Sequence, residues 1–236
     1  MKLYDIAGHL VPVVFQAALL AAALLVAGGV AVRKKLSDES GVLPDEGITL
    51  RNIVEVMTEQ LFGMAESTMG EHARRYFPVC AAIFFFILVA NLMGLVPLVG
   101  GATSDVNTAA AWAIISFVVY NFVGIRTHGA KYIYQFMGPS LWEPEIGGQK
   151  YHVRMLTPVF LPLEVVLHLA RMLTLTVRLV ANMFADHTVV AVWVGIVPFA
   201  VPAIFMGLGT LVAFLQAFVF SLLTMIYIGS ALEEAH

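Results

Sequence analysis

The sequence is short of charge. Of its 236 residues only 12% are Asp, Glu, Lys or Arg, 60% are hydrophobic, and the mean hydropathy is +0.87. Soluble domains carry about 25% charged and about 45–50% apolar residues. Too little polar surface remains to cover one or two water-soluble domains of this length, so the solvent around most of the chain is lipid. A water-soluble globular enzyme is thereby excluded. Basic runs are scarce too: none exceeds Arg33-Lys34-Lys35, and the formal charge is −3. That leaves no electrostatic footprint for nucleic acid. Cysteine is nearly absent, and Cys80, alone in an apolar run, forms no internal disulfide and reads as a small core residue silent about compartment. Among the seven histidines no ligand-spaced cluster stands out, so neither a metal site nor a cofactor is expected.

What the chain does have is long uncharged runs, at 6–32, 76–104, 106–125 and 187–232. A bilayer is crossed by about 20 apolar residues. The last run is long enough for a turn and a full span, and Pro198 and Pro202 mark the turn, because proline starts a helix more readily than it continues one. The expected spans are 8–32, 76–96, 107–126, 158–196 and 199–231, within a single polytopic, all-α membrane domain. The first resembles a signal sequence, but it is too long for an apolar core segment and its basic cluster follows it, so it reads as a retained helix.

The last two spans are over-long. Residues 158–196 as one helix would measure about 58 Å and 199–231 about 50 Å, against a hydrocarbon core of about 30 Å. Both must tilt strongly, forming a membrane-embedded hairpin along a curved partner. Basic residues set the orientation. Arg33, Lys34, Lys35, Arg51, Arg74 and Arg75, and then Arg126, Lys131, Lys150 and Arg154, lie in the connections 33–75 and 126–157, while 97–106 and 196–200 hold none. This predicts cytoplasmic connections at 33–75 and 127–157, the N-terminus outside and Glu233-Glu234 inside. Residues 48–68 alternate apolar and acidic residues at helical spacing, and Tyr132, Tyr134 and Phe136 punctuate the second connection, so surface-lying amphipathic helices are expected in both. The absence of an internal repeat weighs against an alternating-access carrier.

The fourth span carries a polar stripe. Glu164, His168, Arg171, Leu175, Arg178, Asn182 and Asp186 follow spacings of 4, 3, 4, 3, 4 and 4 and fall along one slowly drifting face. A charge near the bilayer centre costs at least about 2.5–3.5 kcal/mol, so the stripe must face a cavity or a partner. Glu164 and Arg171 fit either a structural ion pair or a water-lined route, and His168 fits either a satisfied core position or such a route. Arg178 stands about 21 Å along the helix from Glu164, too far from the end to snorkel, and its nearest sequence carboxylate, Asp186, is two turns away. Its counter-charge is expected from another subunit. His187, beside Asp186, carries the side chain best suited to proton traffic near neutral pH. In the last span Thr210, Ser221 and Thr224 can satisfy their hydroxyls on their own helix. Gln216 cannot hide its amide so easily, and is expected to face the stripe.

The run Arg178-Leu179-Val180-Ala181-Asn182-Met183-Phe184-Ala185-Asp186-His187 resembles the signature of subunit a of the F-type ATP synthases. Asn91-Leu92-Met93-Gly94-Leu95-Val96-Pro97, Ser104-Asp105-Val106-Asn107, Pro162-Leu163-Glu164 and Leu215-Gln216-Ala217-Phe218-Val219-Phe220 match the family in order, so the likeness covers nearly the whole chain. It implies the proton-translocating stator of a rotary motor in the bacterial plasma (inner) membrane. Its partners would be a c-subunit ring, b-type peripheral stalk subunits and the rest of the synthase. Two offset half-channels would reach the ring carboxylate, with Arg178 as attractor and barrier. Glu164, Arg171 and Thr174 would line the cytoplasmic half-channel, and Asn91, Asn182, Asp186, His187 and Gln216 the outer one. No Walker-type glycine loop is present, so the polypeptide alone is expected neither to make nor to hydrolyse ATP.

The sequence departs from the family at one telling place. Many relatives pair the residue at 187 with a titratable side chain on the last helix, where this chain has Gly209, and Gly94 stands where some have an acid. Asp186 is expected to replace the lost group from across the hairpin, with Gly209 leaving it room. The alternative reading, a secondary ion or solute transporter, would call for repeats and broken helices at a midplane site, and neither is visible.

Overall fold

The computed structural model describes residues 13–37, 47, 49–96, 102–129, 132, 145–146, 149–150, 157–197 and 200–232. Pro97, Tyr134, Phe136, Arg154, Pro198 and Glu233-Glu234 lie outside the described residues, as does the side chain of Glu164. Among the described residues six α-helices follow in order: α1 Val13–Ser37, α2 Leu50–Met69, α3 Ala73–Leu95, α4 Val106–His128, α5 Thr157–Ile196 and α6 Ala200–Leu232. Five helical stretches among the described residues are long and apolar enough to cross a membrane: α1, the α2–α3 stretch, α4, α5 and α6.

Local chemistry sets the helix ends. Thr49 caps α2, its hydroxyl accepting from the Asn52 amide at 3.3 Å, and Asp105 caps α4 in the same way, accepting from Asn107 at 2.7 Å. Each satisfies an N–H that a helix start leaves without an intrahelical partner. Gly70 and Gly129 follow the ends of α2 and α4 at φ 56° and 57°, where a Cβ would be strained. Pro202 lies in the first turn of α6, where its missing amide costs no helix bond.

The expected amphipathic helix in the first connection is α2. It buries Leu61, Ala65 and Met69 and leaves Ile53 and Val56 outward. Its Arg51 and Glu55 pair at 2.8 Å one turn apart. The second connection differs from expectation at the residues described there. Glu145–Ile146 and Gln149–Lys150 form a two-residue antiparallel pair, with Ile146 opposite Gln149. Two glycines separate them in sequence, the composition a short hairpin favours over a helix. Tyr132 is buried against α4 rather than lying on a surface. Its hydroxyl donates to Asn121 Oδ1 at 3.1 Å, and its ring occupies the space a side chain on Gly124 would need.

The core lies where α3 and α6 pack together, around Cys80, Ile83, Phe84 and Ile87 from one and Ala217, Phe220, Met225 and Ile228 from the other. Hydroxyl bonds fix the register. Ser221 donates to the Cys80 carbonyl at 3.0 Å, and Ser116 of α4 meets Thr224 of α6 at 2.9 Å. Since Thr224 spends its only proton on the Phe220 carbonyl, Ser116 is the donor in that pair. Gly229 lets α6 approach α2 closely: a Cβ there would stand 2.6 Å from the Thr68 carbonyl oxygen.

Helices α5 and α6, 40 and 33 residues long, would measure about 60 and 50 Å. Much of their surface is apolar and uncovered by this chain, including Leu173, Val177 and Phe184 on α5 and Ile204, Leu208 and Leu211 on α6.

Candidate functional site

The site is the polar seam of the α5–α6 hairpin. Leu175, Leu179 and Met183, four residues apart, form the buried face of α5, with His168 and Thr176 beside them. The polar stripe drifts across the edge of that face. At about 100° per residue, Arg178 lies about 80° around the helix from both His168 and Asp186. The stripe therefore does not meet one environment. His168 and Leu175 are buried, Arg171, Asn182 and Asp186 are half-buried, and Arg178 is exposed. Among the described residues Arg178 has no ion pair.

Inside the seam, Asn182 Nδ2 donates to Gln216 Oε1 at 2.9 Å, joining the two helices by an amide pair. Gln216 is buried and its Nε2 reaches no acceptor among the described residues. One turn along α5, the Asp186 carboxylate faces Gly209: a Cβ on that glycine would stand 3.7 Å from Cγ and Oδ2 and 2.7 Å from Cδ2 of Leu95. His187 is exposed, a helical step of about 100° from Asp186, so the two neighbours point in different directions.

Asn91 lies on α3 and is fully buried. Its Oδ1 accepts from the Thr103 hydroxyl at 2.6 Å, while its Nδ2 meets no acceptor among the described residues. Thr103 belongs to the 3-10 turn Ala102–Ser104 and was not visible as a site residue in sequence, where the two partners are twelve positions apart with nothing to mark the pairing.

At the other end of the seam the Arg171 guanidinium stacks over the Tyr227 ring, 4.7 Å from its centroid. Tyr227 neighbours Tyr120 of α4 at 5.7 Å, and Tyr120 neighbours the buried His168 at 5.8 Å. Arg171 thus finds an aromatic face, a partner the charge pattern did not point to. Thr174 is exposed, and its hydroxyl donates to the Arg171 carbonyl on its own helix. Glu164 lies on α5 two turns before Arg171. The expected site residues therefore fall into two groups, Asp186, Asn182 and Gln216 together in the seam and Arg171 at the aromatic cluster. Arg178 and Thr174 are exposed beside them, and Asn91 is held apart on α3.

A bundle of helices long and apolar enough to cross a membrane, with an amide pair and a half-buried carboxylate in its longest hairpin and an exposed guanidinium beside them, defines a polytopic membrane protein with a polar site on its spanning helices. The family model described as ATP synthase A chain matches residues 7–229. Over 187 residues the chain is 46% identical to ATP synthase subunit a 1 of Pelobacter propionicus, covering 79% of this chain and 76% of that protein. It is 43% identical over the same length to ATP synthase subunit a of Geotalea daltonii, with the same coverage. A subunit a 1 of Syntrophotalea carbinolica is 41% identical over 215 residues, 90% of this chain and 83% of the other. The chain belongs to the ATP synthase subunit a family, as a multi-pass subunit of the membrane sector that serves proton transport and ATP synthesis in the bacterial membrane.

Proposed function

We propose that the chain is the proton-conducting, non-catalytic stator of its synthase. Two offset aqueous half-channels deliver protons to and from a carboxylate carried by a ring of c subunits, and b-type stalk subunits hold the stator against rotation. The observation that carries this reading is Arg178, exposed on the longest helix with no ion pair among the described residues. An arginine guanidinium does not give up its proton in proteins, so it cannot relay one. It can hold an arriving carboxylate in its ionised form. One residue then both draws the ring group in and stops direct passage. Thr174, Ala181 and Ala185 are exposed on the same side of α5, and such short side chains leave room for a neighbouring helix to approach.

The outer route would use Asp186, Asn182, Gln216, Asn91 and His187, and the cytoplasmic route Glu164, Arg171 and Thr174. The positive connections place the N-terminus outside and the C-terminus in the cytoplasm in this reading. Asp186 supplies the titratable group that Gly209 lacks, a role supported by the close approach of its carboxylate to that glycine. The deciding experiment is Arg178→Ala in reconstituted complexes. Proton-driven ATP synthesis is expected to vanish while the complex still assembles, and retained coupling would overturn the barrier role.

A further inference from the structure

We infer that Thr103 is a positioning residue for the outer route, fixing the Asn91 amide so that its NH2 group points into a buried hydration site at the junction of α3 with the Ala102–Ser104 turn. The inference rests on the proton route proposed above. The two side chains are each 0% exposed, and the Thr103 hydroxyl donates to Asn91 Oδ1 at 2.6 Å. A carboxamide has one acceptor oxygen and one donor nitrogen. With the oxygen held by Thr103, the nitrogen must face the opposite way, and there it meets no acceptor among the described residues.

Leaving a fully buried N–H donor dry forfeits its hydration with nothing in return. A leucine would fill the same space without the penalty. Water is the acceptor that a polar, buried N–H at this end of the bundle can recruit. The turn bearing Thr103 lies against α1, α3, α4 and α5. Rotation of the amide would therefore have to break a short bond to a clamped segment. Asn91 is also one helical turn from Leu95, whose side chain lies at Gly209, the residue facing Asp186. The hydration site thus stands about 6 Å along α3 from the level of the seam's carboxylate.

The orientation sets the polarity of the site. A water that accepts from Nδ2 through its oxygen directs its own hydrogens onward, as a donor to the next group. With the amide turned over, Oδ1 would face the water and reverse that direction. Thr103 takes no proton itself, and acts through Asn91.

The test is the outer-pH dependence of ATP synthesis by reconstituted whole complexes at a fixed membrane potential. Thr103→Val is expected to raise the outer proton concentration needed for half-maximal rate by about three- to tenfold, the worth of one lost hydrogen bond. The maximal rate at acid outer pH should stay within about twofold. Thr103→Ser, which keeps the hydroxyl, should restore the original profile. An unchanged profile in Thr103→Val, or an equal fall at every outer pH, would overturn the inference. If Thr103→Val does not assemble, Thr103→Ala, which also removes the hydroxyl, serves instead and is read by the same outer-pH profile with the same outcomes. Arg178→Ala run in parallel separates the two claims. Retained coupling there removes the route itself, whereas lost coupling beside an unaltered Thr103→Val profile removes only the positioning role.

Discussion

Asp186 on α5 and Gly209 on α6 face each other across the hairpin, so closely that a Cβ on the glycine would stand 3.7 Å from the carboxylate carbon. The same Cβ would press on Cδ2 of Leu95 at 2.7 Å. A titratable side chain on α6 would have to displace that leucine. A carboxylate arriving from α5 needs no such movement, which is why the acid and the glycine suit each other.

Removing the charge of Asp186 tests this pairing. Asp186→Asn keeps the shape but not the titratable group, and should lower proton-driven ATP synthesis in vesicles by at least about a hundredfold, the low end of what a positioned proton-transfer group contributes. Moving the carboxylate across the gap, as Asp186→Gly with Gly209→Asp, should recover part of the loss. Full activity in Asp186→Asn would exclude the residue from the route.

The amide pair between Asn182 and Gln216 should behave as a unit. Asn182→Leu leaves the Gln216 oxygen without its partner, and Gln216→Leu does the same to the Asn182 donor. The two changes together should cost less than the sum of the single costs, with a coupling of about 0.5–1.5 kcal/mol. Thermal unfolding of the purified complex in detergent measures it, and strict additivity would show that the bond carries no weight.

Tyr227 should matter to Arg171 through its ring and not through its hydroxyl. Tyr227→Phe keeps the stacking face and is expected to leave stability and coupling close to wild type. Tyr227→Leu removes it and should cost about 0.5–2 kcal/mol, the range for a partly desolvated cation over an aromatic ring. Equal effects of the two substitutions on the thermal midpoint would rule out the stacking account.

Gly229 is a packing site with a backbone atom as its limit. Because a Cβ would fall 2.6 Å from the Thr68 carbonyl oxygen, Gly229→Ala must push α2 and α6 apart. A loss of about 1–3 kcal/mol is expected, as for other overpacked contacts. Gly207→Ala, where nothing lies within 4 Å, is the control and should be stable. A Gly229→Ala protein as heat-resistant as that control would contradict the close helix approach.

Much of this protein follows from its residues in order. Scarce charge identifies lipid as the solvent, and the uncharged runs foreshadow α3, 73–95 against an expected 76–96, and α4, 106–128 against 107–126, whereas α1 runs on to residue 37 where 32 was expected and α5, 157–196 against 158–196, is the apolar stretch that carries the charged stripe. The isolation of Arg178 is also legible, because charge spacing along a helix needs no knowledge of neighbours. What the order of residues left open is how each helix is rotated against the next. A helix apolar on nearly all sides, such as α6, can present any face to its partner at little difference in transfer energy, so the hydrophobic pattern does not choose. The amide of Gln216 already pointed that residue at the stripe, but only the packed structure decides that its partner there is Asn182, thirty-four residues away, that Arg171 lies on Tyr227, and that Thr103 closes on Asn91. These are short-range, directional contacts, and their existence depends on helix register and rotation that only the packing of all the helices together can set.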